Sequence, residues 1–109
     1  MRTLLLVSFV ISFHFVSSQE CLPEKRKGKR LVNKIENQIT RRAFYAAWDE
    51  LRTVNDFPVF SALRAEILWI QGEFFKAETH GLNVIDVCPD NFPKVYYFLG
   101  EIAFNRKDY

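Results

Sequence analysis

Residues 55–74 read NDFPVFSALRAEILWIQGEF, and residues 90–109 read DNFPKVYYFLGEIAFNRKDY. The two stretches align without a gap, 35 residues apart. The turn motif Asn55-Asp56-Phe57-Pro58 recurs as Asp90-Asn91-Phe92-Pro93. Beyond it Leu63 pairs with Phe98, Ala65 with Gly100, Glu66 with Glu101, Ile67 with Ile102 and Trp69 with Phe104. A turn followed by one helical pattern in one register is the mark of an internal repeat. An earlier copy stands at a different spacing. Phe44-Tyr45-x-Ala47 matches Phe74-Phe75-x-Ala77, and Val54 matches Val84, each 30 residues on.

Each unit reads as two helices. Pro58 suits a first helical position, where its missing N–H costs nothing. Residues 59–70 are helical in composition, Gln71-Gly72-Glu73 breaks them, and a second helix is expected over 74–87. Cys88-Pro89-Asp90-Asn91 then stops it, because proline cannot continue the hydrogen-bond ladder. No stretch alternates with the period of a strand, so the expected class is all-α. The first unit has no glycine between its helices. Residues 31–54 are therefore either one continuous helix or a pair broken near Arg42.

At this point the residues resemble the tetratricopeptide repeat, a family of about 34 residues per unit. Tyr96, Leu99-Gly100 and Asp108-Tyr109 match its pattern in the third unit. Gly72, Phe74, Ala77, Gly81, Val84 and Pro89 match the second, and Phe44, Ala47, Leu51 and Val54 match the second helix of the first. The resemblance spans residues 28–109. It implies antiparallel helix pairs stacked as an α-solenoid of about two and a half repeats, divided as 31–57, 58–92 and a partial 93–109. Small residues would lie where helices approach closely, and aromatics would fill the wedge between units. Arg64 and Ser61 stand where the family has a leucine and a large aromatic, so the first helix of the second unit is expected to pack less well than the family pattern implies. The sequence stops at the opening of the third unit's second helix. The expectation is an N-terminal piece of a longer repeat protein, only marginally stable, with a face around Val95, Phe98 and Ile102 left uncovered. Similar exported arrays precede other modules in bacterial envelope proteins.

The N-terminus carries an address. Met1-Arg2-Thr3 gives a positive start, the run from Leu4 to Val16 is broken only by Ser8, Ser12 and His14, and Val16-Ser17-Ser18 supplies small residues. This is the secretory three-part pattern, with cleavage expected after Ser18. The run is too short to span a bilayer, which takes about 20 apolar residues. Glu20 directly before Cys21 argues against lipidation of that cysteine. The expected location is periplasmic or extracellular, with no transmembrane helix in the mature chain. Residues 19–30 read as a basic N-terminal tail, in which Lys25, Arg26, Lys27, Lys29 and Arg30 form a solvated run whose minor role would be contact with an anionic surface.

Composition narrows the chemistry. Among 109 residues, 49% are hydrophobic and 26% charged, a globular balance that excludes general disorder. The net charge of +2 gives no field suited to nucleic acid. There is no metal-ligand pattern, no phosphate-binding glycine loop and no nucleophile elbow, so no cofactor or metal is expected and the chain does not read as an enzyme. His80 and Cys88 have the ingredients of a thiol catalyst, but an eight-residue spacing sets them over two helical turns apart. His80 reads instead as a surface residue. Cys21 precedes the first unit and Cys88 closes the second, so the stacking is expected to keep them apart, each a free thiol or bonded to a part of the chain outside this sequence.

The function read from these residues is an exported scaffold that binds a partner protein or peptide on the concave face of its first helices. In the repeat register Glu36, Glu66 and Glu101 are equivalent, and Ile39, Trp69 and Phe104 form a second row one turn along. With Tyr97 these are the expected partner-binding residues. An acidic row beside an apolar one suits an extended or helical peptide of alternating basic and apolar side chains. The alternative is the docking arm of a larger enzyme or envelope-anchored protein whose working domain lies beyond residue 109.

Overall fold

The computed structural model describes residues 20–54 and 57–106. The leader expected over residues 1–18, positions 55 and 56 of the turn motif, and residues 107–109 lie outside the described residues. Those described form five α-helices and no strand: α1 (Arg26–Thr40), α2 (Phe44–Leu51), α3 (Pro58–Ile70), α4 (Phe74–Val87) and α5 (Pro93–Arg106). The all-α expectation holds for them. None is long and apolar enough to cross a membrane.

The apolar spacing of each helix dictates what it buries. In α1, Ile35 and Ile39 are buried one turn apart, flanked by partly buried Leu31 and Val32. That is a single apolar stripe with a charged remainder. In α4 the stripe is Ala77, Gly81 and Val84, and in α5 it is Val95, Phe98 and Ile102. α3 buries seven residues of its thirteen, on nearly every side. It packs on α1, α2, α4 and α5, while α2 and α4 do not touch one another. The weaker packing expected at Arg64 and Ser61 does not keep α3 from the centre of the molecule.

Arg64 explains why. Its Nη2 donates to the Leu51 carbonyl at 2.7 Å and also to the Val54 carbonyl. Helix ends leave their last carbonyls without internal partners, and the guanidinium satisfies them at the end of α2. The residue that departs from the repeat pattern thus fastens one helix pair to the next.

The turn question is settled in favour of a break. Arg42 takes a positive φ of 64° between α1 and α2. Its N–H donates to the Ile39 carbonyl at 3.0 Å, and the Ala43 N–H to the Gln38 carbonyl at 2.8 Å. The α3–α4 turn repeats this bonding. Gly72, at φ 83°, donates to the Trp69 carbonyl at 3.1 Å, and Glu73 to the Leu68 carbonyl at 2.8 Å. This is the left-handed helix ending that usually takes glycine. Here one copy has arginine.

The face around Val95, Phe98 and Ile102 is not uncovered. These residues are 2%, 0% and 2% exposed, packed against α3 and α4. A Cβ built on Gly81 would stand 3.2 Å from Val95 and Leu99 side-chain atoms and 3.3 Å from Phe98. The glycine lets α5 close down on α4. What α5 leaves open is the other side, with Tyr96, Tyr97 and Phe104 exposed and open space over Gly100.

The expectation that Cys21 and Cys88 lie far apart is also overturned. Cys21 and Cys88 form a disulfide with their Cα atoms 6.1 Å apart. Counting units along the stack misplaced them, because position along a helix matters more than unit number. In antiparallel pairs, the starts of α1 and α3 and the finish of α4 share one end of the molecule. The lead-in also folds back there. Pro23 is buried over Gly28, where a Cβ would stand 2.5 Å from the proline Cβ. The Cys21 carbonyl accepts the Val59 N–H at 3.2 Å, satisfying one of the unbonded donors at the start of α3. Residues 20–25 form a strap rather than a loose tail, and Arg26 already belongs to the helix.

Candidate functional site

α1, α3 and α5 lie side by side in that order, and a cavity of about 240 Å³ opens between them. Val32 and Glu36 of α1, Leu63 and Glu66 of α3, and Lys94 and Phe98 of α5 line it, with Leu22 of the lead-in and Phe92 at one end. Glu36 and Glu66, at equivalent places in α1 and α3, both reach this cavity, while α5 meets it with the earlier residues Lys94, Val95 and Phe98.

The expected partner-binding residues divide. Glu36 is exposed and faces the cavity. Glu66 is paired with Lys94, its Oε2 3.1 Å from the ammonium, and its side chain is only 15% exposed. The acid at this place in the row is thus partly neutralised by a lysine from the next helix. Glu101 is half-buried, and its Oε1 accepts the Tyr97 hydroxyl at 3.4 Å. Neither Glu101 nor Phe104 reaches the cavity.

The apolar row is corrected more strongly. Ile39 is 4% exposed and belongs to the core, so it offers nothing to a ligand. Trp69 is half-buried. Its ring stacks on Phe98 with centroids 5.5 Å apart and meets Tyr97 edge-on at 6.1 Å. It serves the joint between α3 and α5. Phe104 is 70% exposed and Tyr97 61%. One register position therefore gives a core isoleucine, a joint tryptophan and an exposed phenylalanine.

Sequence reasoning missed Lys94, Leu22 and Phe92. Lys94 falls 28 residues after Glu66, one repeat less about two turns, a relation visible only once α3 and α5 are laid side by side. Leu22 was hidden because the lead-in read as solvated. The basic side chains Lys25, Arg26, Lys27, Lys29 and Arg30 are all exposed. Cys88 is bonded to Cys21 and supplies no thiol for His80. His80 is half-buried rather than on the open surface. Burial, and then the neighbouring Arg64 guanidinium, hold its imidazole below the ordinary value of 6.5.

No family model, curated protein or solved structure matches the chain.

Proposed function

We propose that this chain is a tetratricopeptide-like helical array that acts outside the cytoplasm and binds a partner protein or peptide along the face of α1, α3 and α5. The observation that carries the reading is the cavity between those helices, with an exposed acid at Glu36 and an apolar floor that includes Leu63 and Phe98. Three parallel first helices, each touching the next, with second helices that do not touch one another, are what stacked helix pairs produce. The Cys21–Cys88 bond supports an oxidising compartment, since such bonds are rare in the cytosol. It agrees with the secretory pattern of residues 1–18.

The favoured ligand places an apolar side chain in the cavity and a basic group against Glu36. A fluorescein-labelled peptide of alternating lysine and leucine tests it by fluorescence polarisation. Glu36→Lys and Leu22→Asp, both at exposed positions, should each weaken binding about tenfold, the loss of one charged or apolar contact. Their helical circular dichroism should stay at the level of the parent chain. Binding that both variants leave untouched would remove this face from the function.

A further inference from the structure

On the opposite side of α3, a second cleft of about 600 Å³ opens between α2 and α4. It shares no lining residue with the first-helix cavity. Arg64 lies at its floor, Arg52 and Trp48 come from α2 and the residues after it, and Ser61 and His80 from α3 and α4. No aspartate or glutamate lines it.

The repeat itself shows what is unusual here. Thirty residues before Arg64 and His80 stand Lys34 and Glu50. In the first hairpin that pair is an ion pair, with Lys34 Nζ 2.6 Å from Glu50 Oε1. The second hairpin keeps the cation, as Arg64, and replaces the carboxylate with the imidazole of His80. Among the described residues Arg64 makes no ion pair. Its two hydrogen bonds both run through Nη2 to neutral carbonyls. The Nε and Nη1 donors of a guanidinium remain suited to an oxyanion. Arg52 adds a second positive charge, only loosely shared with Asp49 at 3.9 Å in an exposed contact.

We propose that the cleft floored by Arg64 is a binding site for an oxyanion, which takes the place of the carboxylate that Glu50 supplies in the first hairpin. Arg64 provides the fork, Arg52 the second cation and His80 a ring N–H, while the Trp48 ring walls one side. Two sources share this chemistry: inorganic phosphate and the carboxylate of a small acid or peptide end.

The test uses the whole disulfide-bonded chain and NMR titration with inorganic phosphate and, separately, with acetate. Sodium chloride at matched ionic strength controls for screening. The expected result is a saturable shift of the Arg64 Nε–H and Trp48 indole N–H signals with phosphate or acetate and none with chloride. The anion that saturates at lower concentration identifies the source. Combined Arg52→Gln and His80→Gln, which leaves the bonds from Arg64 to the α2 carbonyls in place, should weaken the response about tenfold. Linear, unsaturable shifts with both anions, or shifts that chloride reproduces, overturn the site. So does an unchanged affinity in the double variant.

Discussion

The α1–α2 and α3–α4 hairpins turn through the same hydrogen bonds thirty residues apart, yet they are held together differently. The second has glycine in the left-handed turn and a buried Ala77, and its Gly81 faces α5. The first has Arg42 in the turn, and Leu51 where the second has Gly81. Leu51 is fully buried, a large side chain at the place where Gly81 lets α5 close down on α4. The first hairpin gains its hold from outside itself. Arg64 bonds the end of α2, and the Cys21–Cys88 bond ties the lead-in of α1 to the end of α4. A repeated backbone therefore does not require repeated forces.

Breaking the disulfide should expose this difference most. Cys21→Ser with Cys88→Ser frees a link across 67 residues of sequence. Loop entropy sets its contribution at about 4 kcal/mol. Urea denaturation should register the loss. Hydrogen exchange should show α1 amides losing protection before those of α3 and α4. Equal loss in both hairpins would mean that the first does not depend on its tie.

Replacing Arg64 with methionine should cost about 2 kcal/mol, the scale for charged hydrogen bonds to half-buried carbonyls. The loss should centre on the last turn of α2. Lys34→Met, its counterpart in the first hairpin, should cost no more than about 0.5 kcal/mol, since the Lys34 side chain is 58% exposed. If the two substitutions cost the same, the cation position has one role in both hairpins.

Exchanging the turn residues sharpens the comparison further. Arg42→Gly should stabilise by about 1 kcal/mol, because a left-handed backbone strains a residue with a Cβ. Gly72→Ala should destabilise by about the same amount. Thermal melts of the two variants should move in opposite directions from the parent.

The smallest effect is that of pH. The His80 imidazole is held below 6.5, first by burial and then by Arg64. The folded state therefore binds this proton less readily than the unfolded chain does. Stability present while His80 is neutral is lost as pH falls below about 6.5 and through the folded value. His80→Gln should flatten that part of the pH profile.

Much of this was legible in residues 55–74 and 90–109. Phe-Pro at the starts of α3 and α5, Gly72 at the turn and Pro89 after α4 act through local backbone geometry, which sequence carries directly. The stripes Ala77, Gly81, Val84 and Val95, Phe98, Ile102 are likewise periodicities, and they are the residues α4 and α5 bury. What a register position would do was less legible. Ile39, Trp69 and Phe104 share a place in the repeat and differ in exposure from 4% to 70%. Exposure depends on which helix lies next, and a sequence offset does not encode that.

The sequence by itself determined α3, α4 and the start of α5 with the turns between them, because proline geometry and a turn glycine are properties of short stretches; the break between α1 and α2 was left to the structure. Only the tertiary structure decided the Cys21–Cys88 bond, the Glu66–Lys94 pair and the hold of Arg64 on α2. Each joins residues brought together by the antiparallel turn of a helix pair and the side-by-side lie of parallel first helices. Distance in space there follows which end of a helix a residue occupies, not how far along the chain it stands.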